Sequence, residues 1–235
     1  MKRERSEHLG GGGGARVMVR AVVQRCVSAS VRVNAKEVSR IKRGLVCLVG
    51  LRRGDTREDA EWLAKKIVTA RLFEGGDGSK PWAMGVAALG LDVLCVSQFT
   101  LHASMKGAKK PSFHNAMGGD EAKPLYELFL EILRREYDHA AGGGGGEGGS
   151  TITSTSSAAT RTATDAAVCE GGGGGGGDVG TTQDDNEMKD DDAPNGGKRK
   201  TGAEAIADGV FGAMMAVELV NDGPVTLIFD SQDKG

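Results

Sequence analysis

Length, composition and charge bound what this chain can be. It has 235 residues and 38 glycines, many of them in runs, so we expect the folded part to be smaller than the whole. The formal net charge of −2 gives no reason to expect a nucleic-acid or membrane partner, although a local basic surface is compatible with it. No apolar run approaches the roughly 18 residues of a membrane span, and residues 1–14 lack an apolar signal core, so we expect a soluble cytoplasmic protein without a membrane partner.

Composition separates two segments from the rest of the chain. Residues 1–16 form a charged, Gly-rich tail, and Met18 just behind it is a second candidate for the start of translation. Residues 140–203 contain two Gly runs, a Ser/Thr-rich stretch and an acidic run. Neither segment has enough apolar side chains to offset the entropy of ordering, so both are predicted to be disordered. One domain, residues 17–139 plus 204–235, is left, because lengthening a loop from about 6 to about 60 residues costs only roughly 2 kcal/mol.

Three strands are predicted at the start of this domain. Residues 17–27 and 29–41 alternate in polarity and are rich in β-branched side chains, with turn residues at Asn34 and Ala35. Residues 44–51 form a continuous apolar run that is typical of a buried strand.

A helix is predicted next. Thr56 is suited to cap its start with Asp59 three residues on, Leu63 and Ile67 share one face, and the pattern ends near Arg71. The segments "WAMGVAAL" and "LDVLCVSQFTL" then predict a hairpin whose second strand ends in polar residues.

The last predicted elements complete the fold. A second helix follows Pro124, with an apolar face and Arg134-Arg135 near its C-terminus. Residues 211–220 and 225–229 are predicted as two strands joined by the turn residues 221–224. We therefore predict an α+β fold: a single β-rich domain of mostly antiparallel sheet with two main helices.

Cysteine and histidine do not predict a metal site or a cofactor. Cys26, Cys47 and Cys95 lie in apolar runs without C-x-x-C spacing, so we expect buried, reduced thiols. The histidines lack any ligand spacing: His8, His102, His114 and His139.

Ser97 and Thr100, in "SQFTL", are candidate nucleophiles, but no glycine elbow flanks either of them. His102 is the only nearby base, and two residues along a strand it would share the face of Thr100. A Ser/Thr–His hydrolase therefore stays open. So does the alternative that these hydroxyls only cap backbone groups at a strand end.

Three motifs in order, "VVQR", "SQFTL" and "NDGPVT", stand out together with "GLVCLVGL", "ARLFE" and "KKPSF". In this combination the chain resembles the D-aminoacyl-tRNA deacylase family, of the chiral-proofreading type that acts as a homodimer. The resemblance covers about residues 18–231 apart from the insert. It implies hydrolysis of the ester that joins a D-amino acid to tRNA, with the acceptor end of aminoacyl-tRNA as partner and no cofactor.

The resemblance also implies the site. Ser97, Gln98, Phe99 and Thr100 would form the floor of a pocket for the terminal adenosine and the aminoacyl group, without a side-chain nucleophile. A vicinal 2′-hydroxyl of the RNA would help to activate the attacking water. The implied substrate contacts are Arg25, Phe113, Met215, Lys106 and Lys109, with Phe113 alternatively a core residue and the lysines a solvated loop.

Gly223 and Pro224 are implied to enforce chirality. Proline is the residue whose preceding peptide bond is readily cis, so we expect a cis bond there. In the resembled family this dipeptide would enter the partner subunit's pocket, hold the α-amino group with its carbonyls and collide with an L side chain. Glycine has no side chain to collide, so it is compatible with the same pocket. Arg25 would steady the dipeptide.

One departure from the family pattern is Met214, where the family usually shows an acid. An alternative function is a catalytically silent adaptor that binds nucleic acid or protein. The intact Arg25, SQFT and NDGPVT motifs favour the enzyme.

Overall fold

The computed structural model of the chain describes residues 19–75, 78, 80–105, 107, 109–142 and 199–233. The predicted N-terminal tail and most of the predicted insert lie outside these residues. Helix α2, given below, runs to Ala141, and Arg199 to Ala203 are also described, so the predicted insert range overlaps ordered structure at both ends.

A long strand, β1 (Arg20–Val33), is at the centre of the sheet. It pairs antiparallel with β2 (Lys36–Ile41) and with β3 (Gly44–Gly50). Asn34 and Ala35 both have positive φ, 50° and 64°, as a tight two-residue hairpin turn requires. The predicted turn is therefore confirmed, and the two strands predicted before it form one continuous strand.

The second half of the sheet is parallel. Strand β6 (Asp92–Ser97) pairs parallel with β3, and β7 (Ile206–Asp208) pairs parallel with β6. The predicted hairpin is thus wrong, because β5 (Met84–Gly85) pairs instead with β4 (Arg71–Phe73) in a small separate sheet. The apolar runs of β3 and β6 are buried on both faces, which is typical of central parallel strands. The sheet is mixed rather than mostly antiparallel.

Two helices cover one face of the sheet. Helix α1 (Arg57–Thr69) begins with the predicted capping box of Thr56 and Asp59. Helix α2 (Gly119–Ala141) begins before Pro124, not after it, so the proline lies inside its second turn. The main core lies between these helices and the sheet; its largest buried side chains include Leu45, Leu63, Ile67, Phe129, Leu133 and Tyr137. Every helix of the described part of the chain is too short or too polar to cross a lipid bilayer.

The chain returns to the domain beside the end of α2. The Arg199 guanidinium donates to the carbonyl of Ala141, and Lys200 Nζ lies 2.5 Å from the Asp92 carboxylate. A short helix, α3 (Gly202–Ala205), then leads into β7. The two boundaries of the predicted insert therefore meet at the C-terminal end of α2.

The last strand, β8 (Ala216–Asp230), pairs antiparallel with β1 along its whole length. Its register shifts twice, between Gln24 and Cys26 and between Cys26 and Ser28. At the first shift Thr226 faces Gln24 and Asn221 faces Cys26, so Arg25 alone faces the four residues between. We call these four residues, Asp222 to Val225, the corner. The two predicted strands are thus one, interrupted by a bulge where a proline without an N–H is tolerated. Phe211 to Met215, predicted as strand, lie outside it.

Candidate functional site

A cavity of about 640 Å³ lies where β3 and β6 end, between the start of α2 and the segment before β8. Four consecutive residues predicted from the sequence line it, Ser97, Gln98, Phe99 and Thr100, and so does Met215. The remaining wall is largely apolar, with Val49, Leu51, Val96, Met117 and Val217 among its residues. An apolar cavity with a few polar groups at one side is the usual form of a small-molecule or nucleoside site.

The backbone bends sharply where β6 enters this cavity. The Gln98 N–H donates to the Val49 carbonyl at 2.7 Å, and a 3-10 turn (Phe99–His102) follows at once. Among the described residues, the N–H groups of Phe99 and Thr100 have no hydrogen-bond acceptor. Two adjacent donors at the cavity wall are therefore available to a substrate oxygen.

Two aromatic rings mark the mouth of the cavity. The Phe99 side chain is 55% exposed, and the Phe113 ring packs edge-on against it with centroids 5.0 Å apart. Phe113 does not itself line the cavity. Its contact with the site is the packing of its ring on Phe99.

His102 does not face the hydroxyl groups of the site. Its side chain is buried, and in the described part of the chain its Nε2 atom has no hydrogen-bond partner. Burial lowers the pKa of His102, and a hydrogen bond to the backbone of Gly50 partly offsets the effect. Thr100 is exposed, and its hydroxyl accepts from the Gln98 side-chain amide. The expected shared face of Thr100 and His102 is therefore wrong, because a 3-10 turn replaces the strand there.

Sequence reasoning missed two aromatic residues that line the cavity. Phe211 and Tyr126 pack against each other with ring centroids 5.6 Å apart, and both face the SQFT segment across the cavity. The Tyr126 hydroxyl is buried, and burial raises the pKa of this phenol well above its usual value. Phe211 falls in a predicted strand and Tyr126 in the predicted second helix, and a cavity-lining aromatic side chain has the same sequence pattern as a core one. The sequence signal that could have separated Phe211 from a strand is the glycine directly after it, Gly212.

The corner does not line the cavity of its own chain. Gly223 has a φ of 114°, the Gly223–Pro224 peptide bond is cis, and both residues are exposed. Neither lines the cavity of its own chain. Arg25 binds the corner from β1: its Nε is 2.9 Å from Asp222 Oδ2, and its Nη1 donates to the Leu72 carbonyl at 2.9 Å.

The remaining sequence-predicted contacts are the two lysines. Lys106 lies outside the described residues, whereas Lys109 is exposed on the loop after the 3-10 turn. Within the described ranges, His, Cys, Asp and Glu side chains do not gather in groups of three or more that could hold a metal ion.

Comparison with known proteins gives consistent matches. The sequence model of the family described as "D-Tyr-tRNA(Tyr) deacylase" matches residues 22–148 and 194–230. The chain is 33% identical to a "D-aminoacyl-tRNA deacylase" of Dictyostelium discoideum over 216 residues, which cover 92% of this chain and 100% of that one. It is 36% identical to a protein of the same description from Yarrowia lipolytica, covering 92% and 99% of the two chains.

Solved structures share the fold. A structure described as "c-Myc DNA Unwinding Element Binding Protein" is 31% identical, with a TM-score of 0.59, over 89% of this chain and 97% of that one. A second, described as a "probable eukaryotic D-amino acid tRNA deacylase", is 18% identical, with a TM-score of 0.56, over 91% and 99%. At that identity the second likeness concerns the fold alone.

Proposed function

The chain belongs to the D-Tyr-tRNA(Tyr) deacylase family, and we propose that its cavity holds the 3′ end of a D-aminoacyl-tRNA while the ester is cleaved. The protein is an enzyme, a hydrolase that releases a free D-amino acid and tRNA. The observation that carries the assignment of the site is the placement of Ser97 to Thr100 at the cavity wall with two unpaired backbone N–H groups.

Catalysis here depends on position rather than on a nucleophilic side chain. An aminoacyl ester is already activated, so holding it, placing a water and stabilising the oxyanion account for most of the rate. The N–H groups of Phe99 and Thr100 are the donors for that oxyanion. The vicinal 2′-hydroxyl of the terminal ribose helps to activate the water. Phe211 and Met215, across the cavity, are placed to contact the terminal base.

The corner acts on the cavity of a second copy of the chain. Gly223 and Pro224 are exposed and lie outside their own cavity, so a neighbouring chain is where they meet a substrate. Their carbonyl groups hold the α-amino group, and an L side chain would collide with them while a D side chain points away.

An exposed apolar surface supports this homodimer. Among the described strands, β8 pairs with β1 alone. Its outer side chains Val220 and Ile228 are 57% and 65% exposed, and Val27 of β1 and Met214 just before β8 are also exposed. A two-fold interface on this surface would bury these side chains and carry each corner to the partner's cavity.

The test is a timed hydrolysis assay with D-tyrosyl-tRNA and L-tyrosyl-tRNA, together with a mass measurement in solution. We expect rapid release of D-tyrosine, slow release of L-tyrosine and the mass of a dimer. One structural relative is described as a DNA-binding protein, which is the observation that favours the alternative, a catalytically silent adaptor. Binding of tRNA without hydrolysis would favour the adaptor, and an active monomer would contradict action in the partner's cavity.

A further inference from the structure

Three exposed cations lie on segments that adjoin the cavity: Arg53 comes two residues after the cavity residue Leu51, and Lys109 and Lys110 come shortly before Phe113, which packs on the cavity residue Phe99. We call these three residues the cationic rim. We propose that the rim binds backbone phosphates of the unpaired 3′ end of tRNA, next to the terminal nucleoside in the cavity. This inference rests on the proposed function, since it concerns how the same site binds its substrate.

Arg53 is held at the cavity edge by a short backbone ladder. Its N–H donates to the Asn115 carbonyl at 3.0 Å, and the Met117 N–H donates to the Leu51 carbonyl at 3.0 Å. Leu51 and Met117 both line the cavity. Because Arg53 is two residues from Leu51, its Cα lies within about 7 Å of the cavity wall. Its long side chain can therefore reach a group at the mouth.

Lys109 and Lys110 lie on a loop whose neck is fixed. Ser104 and Ser112 exchange backbone hydrogen bonds of 2.8 and 2.9 Å, which closes the loop at its base. Phe113 follows the neck and packs on Phe99 at the mouth. Lys110 is three residues from Phe113, so its Cα is within about 10 Å of this aromatic pair. The loop therefore carries its charges close to the entrance.

Within the described part of the chain, no carboxylate compensates the charge of the rim. Residues 101–119 contain three lysines and no acidic residue. Among the described residues, Arg53, Lys109 and Lys110 form no ion pair, whereas Arg20, Arg57 and Lys123 each pair with a carboxylate. The next acids in the sequence, Asp120 and Glu121, lie in the first turn of α2, where the helix N-terminus stabilises them. Unpaired Arg and Lys at a nucleotide site are typical phosphate contacts.

The experiment compares two substrates that differ in their phosphates. D-tyrosyl-tRNA carries the phosphates of the 3′ end, and the D-tyrosyl ester of adenosine has none. The variant is Arg53→Gln/Lys109→Gln/Lys110→Gln. A charge-matched control is Lys36→Gln/Lys65→Gln/Arg135→Gln, which removes one arginine and two lysines that do not line the cavity. kcat and KM are measured for both substrates at several salt concentrations.

We expect the rim variant to lower the ratio of kcat/KM for the tRNA to kcat/KM for the adenosine ester by about tenfold or more. The change should lie in KM. The slope of log KM against log salt should fall by about 2, since each phosphate on a single strand contributes about 0.7. The control variant should leave both the ratio and the slope as in the wild type.

Other outcomes would overturn the inference. Equal losses on both substrates would mean that these residues shape the cavity rather than bind phosphates. An unchanged ratio and slope, or the same change in the control variant, would show that the rim makes no specific contact. If the wild-type protein cleaves neither substrate, the proposed function itself fails, a result distinct from the others.

Discussion

Arg25 and Asp222 join the two longest strands at the larger of the two shifts in their register. The Nε atom of Arg25 is 2.9 Å from Asp222 Oδ2, and both side chains are largely buried. Asp222 is the first residue of the corner, so the ion pair fixes the segment that carries Gly223 and Pro224. Arg25 thereby positions the corner from within its own chain.

Replacing Arg25 by glutamine should therefore impair hydrolysis more than folding. We expect kcat/KM for D-tyrosyl-tRNA to fall about tenfold or more, because a hydrogen-bonded charged pair of this kind contributes about 1.5–3 kcal/mol. Arg57→Gln is the matched control, since Arg57 also pairs with a carboxylate, Glu61 at 2.8 Å, but on the exposed surface of α1. Equal activity of the two variants in the hydrolysis assay would contradict a positioning role for Arg25.

Alanine at Gly223 should displace the corner. The φ of 114° is unfavourable for a side chain, and a Cβ there would lie 2.8 Å from Val225 Cγ2 and 3.0 Å from Arg25 Nη2. We expect weaker discrimination between D- and L-tyrosyl-tRNA in competition assays. Gly90→Ala provides the comparison, because Gly90 also has a positive φ but open space around it. If both variants discriminate like the wild type, the corner does not read chirality.

Alanine at Ser97 or Thr100 should leave substantial hydrolysis. The buried His102 makes no hydrogen bond to either hydroxyl in the described residues, so neither has a base to activate it. Single-turnover rates of the folded variants, checked by circular dichroism, test this expectation. A loss of about a millionfold, as removal of a true nucleophile can cause, or a trapped acyl-enzyme would refute it.

Deleting residues 144–197 should change activity little. The chain leaves and re-enters the domain at the C-terminal end of α2, where Arg199 binds the Ala141 carbonyl. Tyr126, which lines the cavity, is 15 residues earlier on the same helix, or about 22 Å away. A short Gly-Ser linker should preserve the melting temperature and kcat/KM. A large fall in either would show that the deleted segment contributes to folding or to the site.

Stability should decrease at alkaline pH. Burial raises the pKa of the Cys26 thiol to about 11 from a usual 9.0, and a hydrogen bond with Cys95 together with burial raises the pKa of Cys47. A group with a raised pKa in the folded state favours folding fully below its unfolded pKa, and this contribution is lost as the pH rises through the folded value. The free energy of unfolding, measured in urea, should therefore fall between about pH 9 and pH 11. Cys26→Ala should make this fall shallower, and a flat profile in the wild type would contradict the burial argument.

The sequence by itself determined the parts of this protein that depend on near neighbours. The turn at Asn34 and Ala35 and the capping box of Thr56 and Asp59 were predicted correctly, because turn and capping preferences act over a few residues. The SQFT and NDGPVT motifs also indicated the family, which the comparisons confirm.

Only the tertiary structure decided which distant segments meet. Strand β6 pairs parallel with β3 and does not form the predicted hairpin. Burial on both faces favours a central parallel pair, and no local sequence signal specifies that pairing. The same holds for Phe211 and Tyr126, whose apolar pattern does not distinguish a cavity wall from a core. Arg25 and Asp222, 197 residues apart in the sequence, meet only because β8 pairs with β1. Strand pairing and burial are properties of the whole fold, and they placed the residues that the motifs had named.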